Sequence, residues 1–350
     1  MKKYSKKINL ALALVLCLTM ILTGCGQKTE APAAGTTSSE TAAADAGKVF
    51  VLKAGHVLQT DHPYHLGLLK MAEIAKEKSG GRIEIQVFPA SQLGNERDLI
   101  EGLQLGSVDI SLTATAPVSN FSPELLVFDL PYLFKDKAHA YKALDGEIGK
   151  SLFAKLEDDG LIGLEFFESG FFVLHTNQEG IKTPDDVKGM KIRTMENVAH
   201  MGFFTALDAS ATPMAFGEVY TALQNKTIDG AINSLAVIYS NKFFIPAPYF
   251  TMTNQVYAPS PVMISKKTYD SLPTDLQQII REAAAEARDF ERQQNTEMEK
   301  TIIEKMKAEG CTFYDVDQAE WSAAVVDKIY GELVPSKIDP EMVKKIQELK

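Results

Sequence analysis

Twice along this chain, short apolar runs alternate with stretches of helical spacing, and that alternation restricts the fold more than any other feature. The first series is the strand Val49–Ala54, a helix opened by Pro63 and carried to Ser79, the strand Arg82–Phe88, a helix from Asn95 to Leu105, and the strand Val108–Leu112. The second is Met190–Arg193, a helix over Val198–Leu207, Ala209–Thr212, a helix over Gly217–Asn225, and Asp229–Ile232. Strand, helix and strand in succession require parallel strands joined by right-handed crossovers. In the second strand Ile83, Ile85 and Val87 point one way and Glu84 and Gln86 the other, so it is half-buried. Asp98, three residues after the Asn95 cap, makes a capping-box variant, and glycines close both helices, Gly80-Gly81 and Gly106.

Between the two series lie a proline-punctuated apolar loop, Asn120–Phe134, which should pack, and a helical stretch, Ala138–Glu157, broken at Gly146. Two strands follow, Leu161–Phe167 and Phe171–Asn177, with Ser169-Gly170 between them. A glycine there can absorb large dihedral changes, and Tyr257–Ser265 alternates back, so two crossing strands should make a hinge. From Leu272-Pro273 helix formers continue to Glu309, about 54 Å at 1.5 Å per residue. Leu276, Ile279, Ile280, Ala283, Ala287 and Phe290 form one apolar stripe, and Met298, Ile302, Ile303 and Met306 another. Glu291–Glu297 between them is polar. A helix with two separate stripes is expected to lie across two lobes, its polar face solvated; an ordinary helix broken near Gln294 is the alternative. Asp317–Glu332, with the only tryptophan, Trp321, reads as a closing helix.

The N-terminus reads as a targeting segment. Lys2, Lys3, Lys6 and Lys7 precede an apolar run, Ile8–Ile21, that is too short to span a bilayer well. Leu22-Thr23-Gly24-Cys25 follows and resembles a bacterial lipobox, which makes residues 1–24 a lipoprotein signal and Cys25 the lipidated first residue of the mature chain. Residues 25–47, rich in Ala, Thr, Ser and Gly and without an aromatic, are expected to be a flexible tether. Cys17 leaves with the signal and Cys25 carries lipid, so Cys311 has no intramolecular partner and stability must come from a large core.

The formal charge is −10, and loss of the four leader lysines takes it to −14. That argues against nucleic acid or an anionic surface as partner. An anionic ligand would have to be held by a local cation. Arg193 ends a strand, and in open α/β sheets ligands sit outside the carboxyl ends of strands. Its planar fork of donors matches a carboxylate bidentately. Two readings fit this residue by itself: a grip on an organic acid, or a strand-end surface ion pair.

Several blocks together resemble the substrate-binding proteins of tripartite ATP-independent periplasmic (TRAP) transporters, the group often labelled C4-dicarboxylate-binding. They are Ser91-Gln92-Leu93-Gly94-Asn95-Glu96-Arg97, Leu130-Pro131-Tyr132-Leu133-Phe134, Asp186–Arg193, Thr212–Gln224 and Asp229-Gly230. The resemblance implies an α/β, two-lobed, periplasmic-binding-protein-like clamshell with a long helix spanning both lobes. Residues 48–169 plus 258–297 would form lobe I, and 170–257 plus 298–350 lobe II. It implies that Arg193 bonds the substrate carboxylate, that Asn233 reaches the ligand, and that Phe216 is an aromatic wall. Glu196 and Asn197 stand where family members vary with ligand, and Glu96 and His56 where lobe I faces the cleft. Many members carry a second arginine just after the hinge glycine, a place held here by Phe171 and Phe172. A second acid group would lack its partner, which favours a monocarboxylate: a sugar acid bonded by Glu196, Asn233 and His56, or an acid with an apolar body against Phe172 and Phe216. The implied partners are a small organic acid, membrane permease subunits, and the membrane through lipid on Cys25. No cofactor is expected.

A second function class stays open, a metal-binding or hydrolytic lipoprotein using His56, His62 and His65 beside Asp61. Their spacing matches no compact zinc pattern, and no nucleophile elbow, phosphate loop or zincin helix occurs.

Overall fold

Both strand–helix series fold as parallel groups, and they meet along two antiparallel strands. The computed structural model describes residues 47–349. The expected leader, the expected lipidation site Cys25 and the expected tether up to residue 46 lie outside the described residues. Among the described residues, no helix is long and apolar enough to cross a membrane. The strands are β1 (Phe50–Gly55), β2 (Ile83–Phe88), β3 (Ile110–Leu112), β4 (Leu161–Thr176), β5 (Lys191–Thr194), β6 (Ser210–Pro213), β7 (Gly230–Ser234), β8 (Tyr249–Thr251), β9 (Tyr257–Ser265) and β10 (Thr312–Tyr314).

The main sheet runs β2-β1-β3-β9-β4-β7-β5-β6. β1 lies parallel to β2 and β3, and β5 parallel to β6 and β7. The two halves therefore repeat one order, with the first strand of each series in the middle of its group. β9 and β4 run antiparallel to each other from Leu161↔Ser265 to Phe171↔Tyr257 and join the halves. β8 attaches to β4 and β10 to β8.

Local chemistry explains the ends of the elements that approach the cleft. Asn95 accepts from the Arg97 and Asp98 amides while Asp98 accepts from the Asn95 amide, a complete capping box for the helix Glu96–Leu105. Gly106 ends that helix at φ 76, a left-handed conformation that costs a side chain but not glycine. Asn197 caps the helix Val198–Ala206 by accepting from Ala199 and His200.

Two features depart from the sequence-based expectation, the single crossing strand and the burial within the long helix's polar middle, while the long helix itself follows it. The two strands expected around Ser169-Gly170 are one strand, β4, with register shifts at Gly163/Glu165 and Glu168/Gly170; bulges absorb the irregularity without ending the pairing. The long helix is unbroken over Thr274–Ala308 and touches the helix Pro63–Lys78 in one half and Leu235–Ser240 in the other. Its polar middle is only partly solvated: Gln293, Thr296 and Glu297 are exposed, but Glu291, Arg292 and Asn295 are buried against the crossing strands. There Glu168 accepts from Lys137 (2.9 Å), Asn295 (2.9 Å), Tyr141 (2.7 Å) and Tyr257 (2.8 Å), and Arg292 bonds Asp145 and the Phe166 carbonyl.

Candidate functional site

The segments that leave the carboxyl ends of β3 and β5 meet, Ser119 bonding Asn197 and Asn120 the Glu196 carbonyl, and Arg193 lies near the carboxyl end of β5. Its side chain is 1% exposed. Nε and Nη2 donate to the Met214 carbonyl at 3.1 and 2.7 Å, while Nη1 has no hydrogen-bond partner among the described residues. No carboxylate of the described chain lies within ion-pair distance, so the surface-pair reading of this residue fails. Burial pulls the guanidinium down to about 10, opposed by Glu96, Glu196 and Glu218, and it stays charged at neutral pH. A buried cation with an unmet donor is costly, and an arriving carboxylate removes that cost.

Two adjoining pockets open beside it. The larger, about 100 Å³, is lined by Asn95, Glu96, Arg97, Arg193, Glu196 and Phe216 among others. The smaller, about 20 Å³, is lined by Tyr64, Glu96, Ser169, Met195, Phe216 and Asn233 among others. Glu96, Met195 and Phe216 belong to both, so the two are parts of one cleft. Glu96 is half-buried and its Oε1 accepts from the Ala114 amide at 3.0 Å. Burial raises its carboxyl, against the Ala114 amide and Arg193. Glu196 is exposed and Phe216 buried, its ring 5.4 Å from that of Phe243. Asn233 pairs with Val173, and Ala231 with Arg193. Since Ala231 and Asn233 are two residues apart, Arg193 and Asn233 share one face of the sheet.

Five of the seven sequence-picked residues thus gather here: Arg193, Asn233, Glu196, Phe216 and Glu96. Phe172 and His56 do not line either pocket. Phe172 pairs with Ser234, one residue out of phase with Asn233, which turns it to the opposite face; there it is fully buried, its ring 5.9 Å from that of His200. His56 is fully buried, accepts from the Leu58 amide at 3.2 Å and meets His65 at 3.1 Å, so it organises its own loop. Tyr64, Met195 and Met214 are cleft residues that the sequence did not single out, and Ser169, read there only as part of a hinge, lines the cleft as well. The proline that opens the helix at Pro63 placed Tyr64 in its first turn, but no local signal gives that turn's bearing on the cleft.

The histidine cluster does not form a ligand set. His62 accepts from the Tyr64 amide and caps a helix, and His56 and His65 satisfy each other. Among the described residues no three His, Cys, Asp or Glu side chains converge as a metal site. A roomier cavity, about 550 Å³, is lined by Asp145, Lys150, Glu165, Arg281 and Arg288 among others, without Arg193. Its Arg288 is already paired with Glu165 and Asp289.

Comparison with known proteins fits this geometry. Residues 54–334 match the bacterial extracellular solute-binding proteins, family 7. The chain belongs to that family. It is 33% identical to the 2,3-diketo-L-gulonate-binding periplasmic protein YiaO of Escherichia coli over 79% of this chain and 85% of that one. A crystal structure of a TRAP periplasmic solute-binding protein from Bordetella bronchispeptica, with density assigned to pantoate, is 38% identical, covers 86% of this chain and 99% of that one, and has a TM-score of 0.83. The sugar-acid-binding protein DctPAm of Advenella mimigardefordensis, in complex with galactonate, is 34% identical, covers 86% and 97%, and has a TM-score of 0.81. Other solved relatives carry D-erythronate, succinate, β-D-galacturonate or D-glucuronate. The fold is the two-lobed α/β clamshell of these TRAP solute-binding proteins, a family of receptors that work with membrane permeases.

Proposed function

We propose that this chain is a TRAP solute receptor that takes a small hydroxylated monocarboxylate, a sugar acid, with the carboxylate on Arg193. The observation that carries the reading is the buried Nη1 without a partner beside the cleft. Glu96, Glu196 and Asn233 then serve the hydroxyls, and Phe216 packs against the carbon chain. Two carboxylates in the wall disfavour a second acid group on the ligand, since like charges in one cleft repel. The cleft wall offers no second arginine free to compensate such a group, since Arg97, its other arginine, is paired with Glu101.

In this reading residues 48–169 plus 258–297 and residues 170–257 plus 298–350 are the two lobes. They hinge at Ser169-Gly170 and Tyr257. The mature chain hangs from lipid on Cys25 by the 25–47 tether, on the extracytoplasmic side, and passes its solute to the permease subunits. No catalytic role enters.

A melting-temperature screen, followed by calorimetry, tests this against D-glucuronate, D-galacturonate, galactonate, D-erythronate, pantoate and succinate, with divalent metals in separate wells. The expected result is a larger rise with the sugar acids than with succinate. A larger rise with succinate contradicts the monocarboxylate reading, and a rise with metals alone contradicts the receptor reading.

A further inference from the structure

Beside Arg193 a second set of bonds, buried at Asn197 and exposed at the Glu196 carbonyl, joins the two halves, and none of the side chains that make it is placed to touch the acid. Met195 and Glu196 line the pockets, and Asn197 follows directly. Asn197 is 1% exposed and uses its two ends differently. Its Oδ1 accepts from Ala199 (2.9 Å) and His200 (3.1 Å), within its own half. Its Nδ2 crosses to Asp129 Oδ2 (2.8 Å) and Ser119 Oγ (3.1 Å), which follow β3 in the other half. Asp129 is itself fixed by Thr115 at 2.9 Å and is 1% exposed. One position earlier, the Glu196 carbonyl accepts from Asn120 Nδ2 at 2.7 Å, again from the other half.

Only an asparagine of this length can accept on one side and donate on the other here. An aspartate would bring a second carboxylate to Asp129, and a serine would keep the helix cap but not reach. The bond to Asp129 is charge-assisted whenever that carboxyl is ionised, and it is sheltered from water, so it is among the stronger bonds between the halves.

We propose that Asn197 is a positioning residue for solute binding: clasped to Asp129, it fixes the Met195–Glu196 wall of the cleft and biases the two halves toward the closed form, so that solute release begins with this clasp opening. The proposal rests on the receptor reading given above. It assigns Asn197 and Asp129 no contact with the acid; their effect reaches it through the wall. Affinity should therefore depend on them mainly through the dissociation rate, because closure follows encounter.

The test measures association and dissociation of the six acids named above, one at a time, on wild-type protein and three variants. Asn197→Ser keeps the helix cap and loses the clasp. Asp129→Ala breaks the clasp from the other side and leaves the cap untouched. Asp129→Asn keeps an oxygen for the Asn197 amide and is the conservative control. For every acid that binds the wild type, the first two should release it about tenfold faster, the worth of roughly one charge-assisted hydrogen bond. Association should change by less than about threefold, and Asp129→Asn should stay near wild type. Small-angle scattering with saturating acid should show the first two less compact than wild type. Wild-type release rates in both Asn197→Ser and Asp129→Ala overturn the clasp while leaving the receptor reading intact. If none of the six acids binds the wild type, the receptor reading fails and the clasp fails with it.

Discussion

At the crossing strands the Glu168 carboxylate collects four hydrogen-bond donors, while at the cleft the Arg193 guanidinium keeps one nitrogen with none. Both are buried charges beside the junction of the two halves. Burial alone would raise the Glu168 carboxyl, but Lys137, the Asn295 amide and Tyr141 outweigh it and hold it below the usual carboxylate range. At Arg193 burial wins, and the guanidinium is pulled down to about 10. A charge that its own chain satisfies holds the structure together. A charge that its own chain leaves short is prepared for something that arrives later.

The sharpest way to break that contrast is to remove each charge. Arg193→Ala should cost about 2–5 kcal/mol of acid binding, and Arg193→Lys a large part of it, because a point charge does not replace a planar fork. The ligand-free melting temperature of Arg193→Ala should hold or rise, since an unmet buried donor is gone. Calorimetry and a melt check both halves of the statement. Glu168→Ala should behave in the reverse way, losing about 3 kcal/mol of stability in denaturant unfolding; the lower end of the buried-pair range applies because Lys137 is about a quarter exposed and keeps Glu299. A mutant as stable as wild type would mean that the crossing-strand network is incidental.

Smaller effects sharpen the same comparison. Gly170 sits at φ 98 in β4, and a Cβ there would come within 2.9 Å of Glu299 Oε1. Gly170→Ala should cost about 1–2 kcal/mol and slow closure measured by stopped-flow, the strain falling on the proposed hinge. Asp129 offers the smallest and most specific test. Burial pushes its carboxyl up to about 7 against Thr115 and Asn197, with His200 Nε2 3.7 Å away and itself lowered to about 3 by burial and Arg193. The folded chain therefore holds a proton there that the unfolded chain releases near pH 4. That contribution to stability is fully present below about pH 4 and is lost as pH rises through about 7. Wild type should lose more stability than Asp129→Asn between pH 5 and pH 8, and parallel melting curves would contradict it.

Much of this was legible in the sequence where the signal is local. The strand–helix alternation, the Asn95 cap and the Gly106 stop depend on near neighbours, and so does the position of Arg193 at a strand end. What escaped depends on residues far apart in the chain. Phe172 was one position out of phase with Asn233, a matter of sheet register that periodicity does not fix. The polar middle of the long helix looked like a solvated face because Glu168, Lys137 and Tyr141 lie more than a hundred residues away. Asp129 and His200 stood out in no pattern, since only the packing of the Pro123–Asp129 turn against the helix Val198–Ala206 brings them together. The strands Tyr249–Thr251 and Thr312–Tyr314 were too short to announce themselves and form because each finds a partner edge.

The central claim is that Arg193 Nη1 is kept for a carboxylate. The most direct measurement is a crystal structure grown with the acid that raises the melting temperature most. It should place a ligand carboxylate oxygen about 2.7–3.1 Å from that nitrogen, with Glu96 and Glu196 turned toward hydroxyls. A carboxylate held elsewhere, with Nη1 bonded instead to Glu96 or Glu196, contradicts the account.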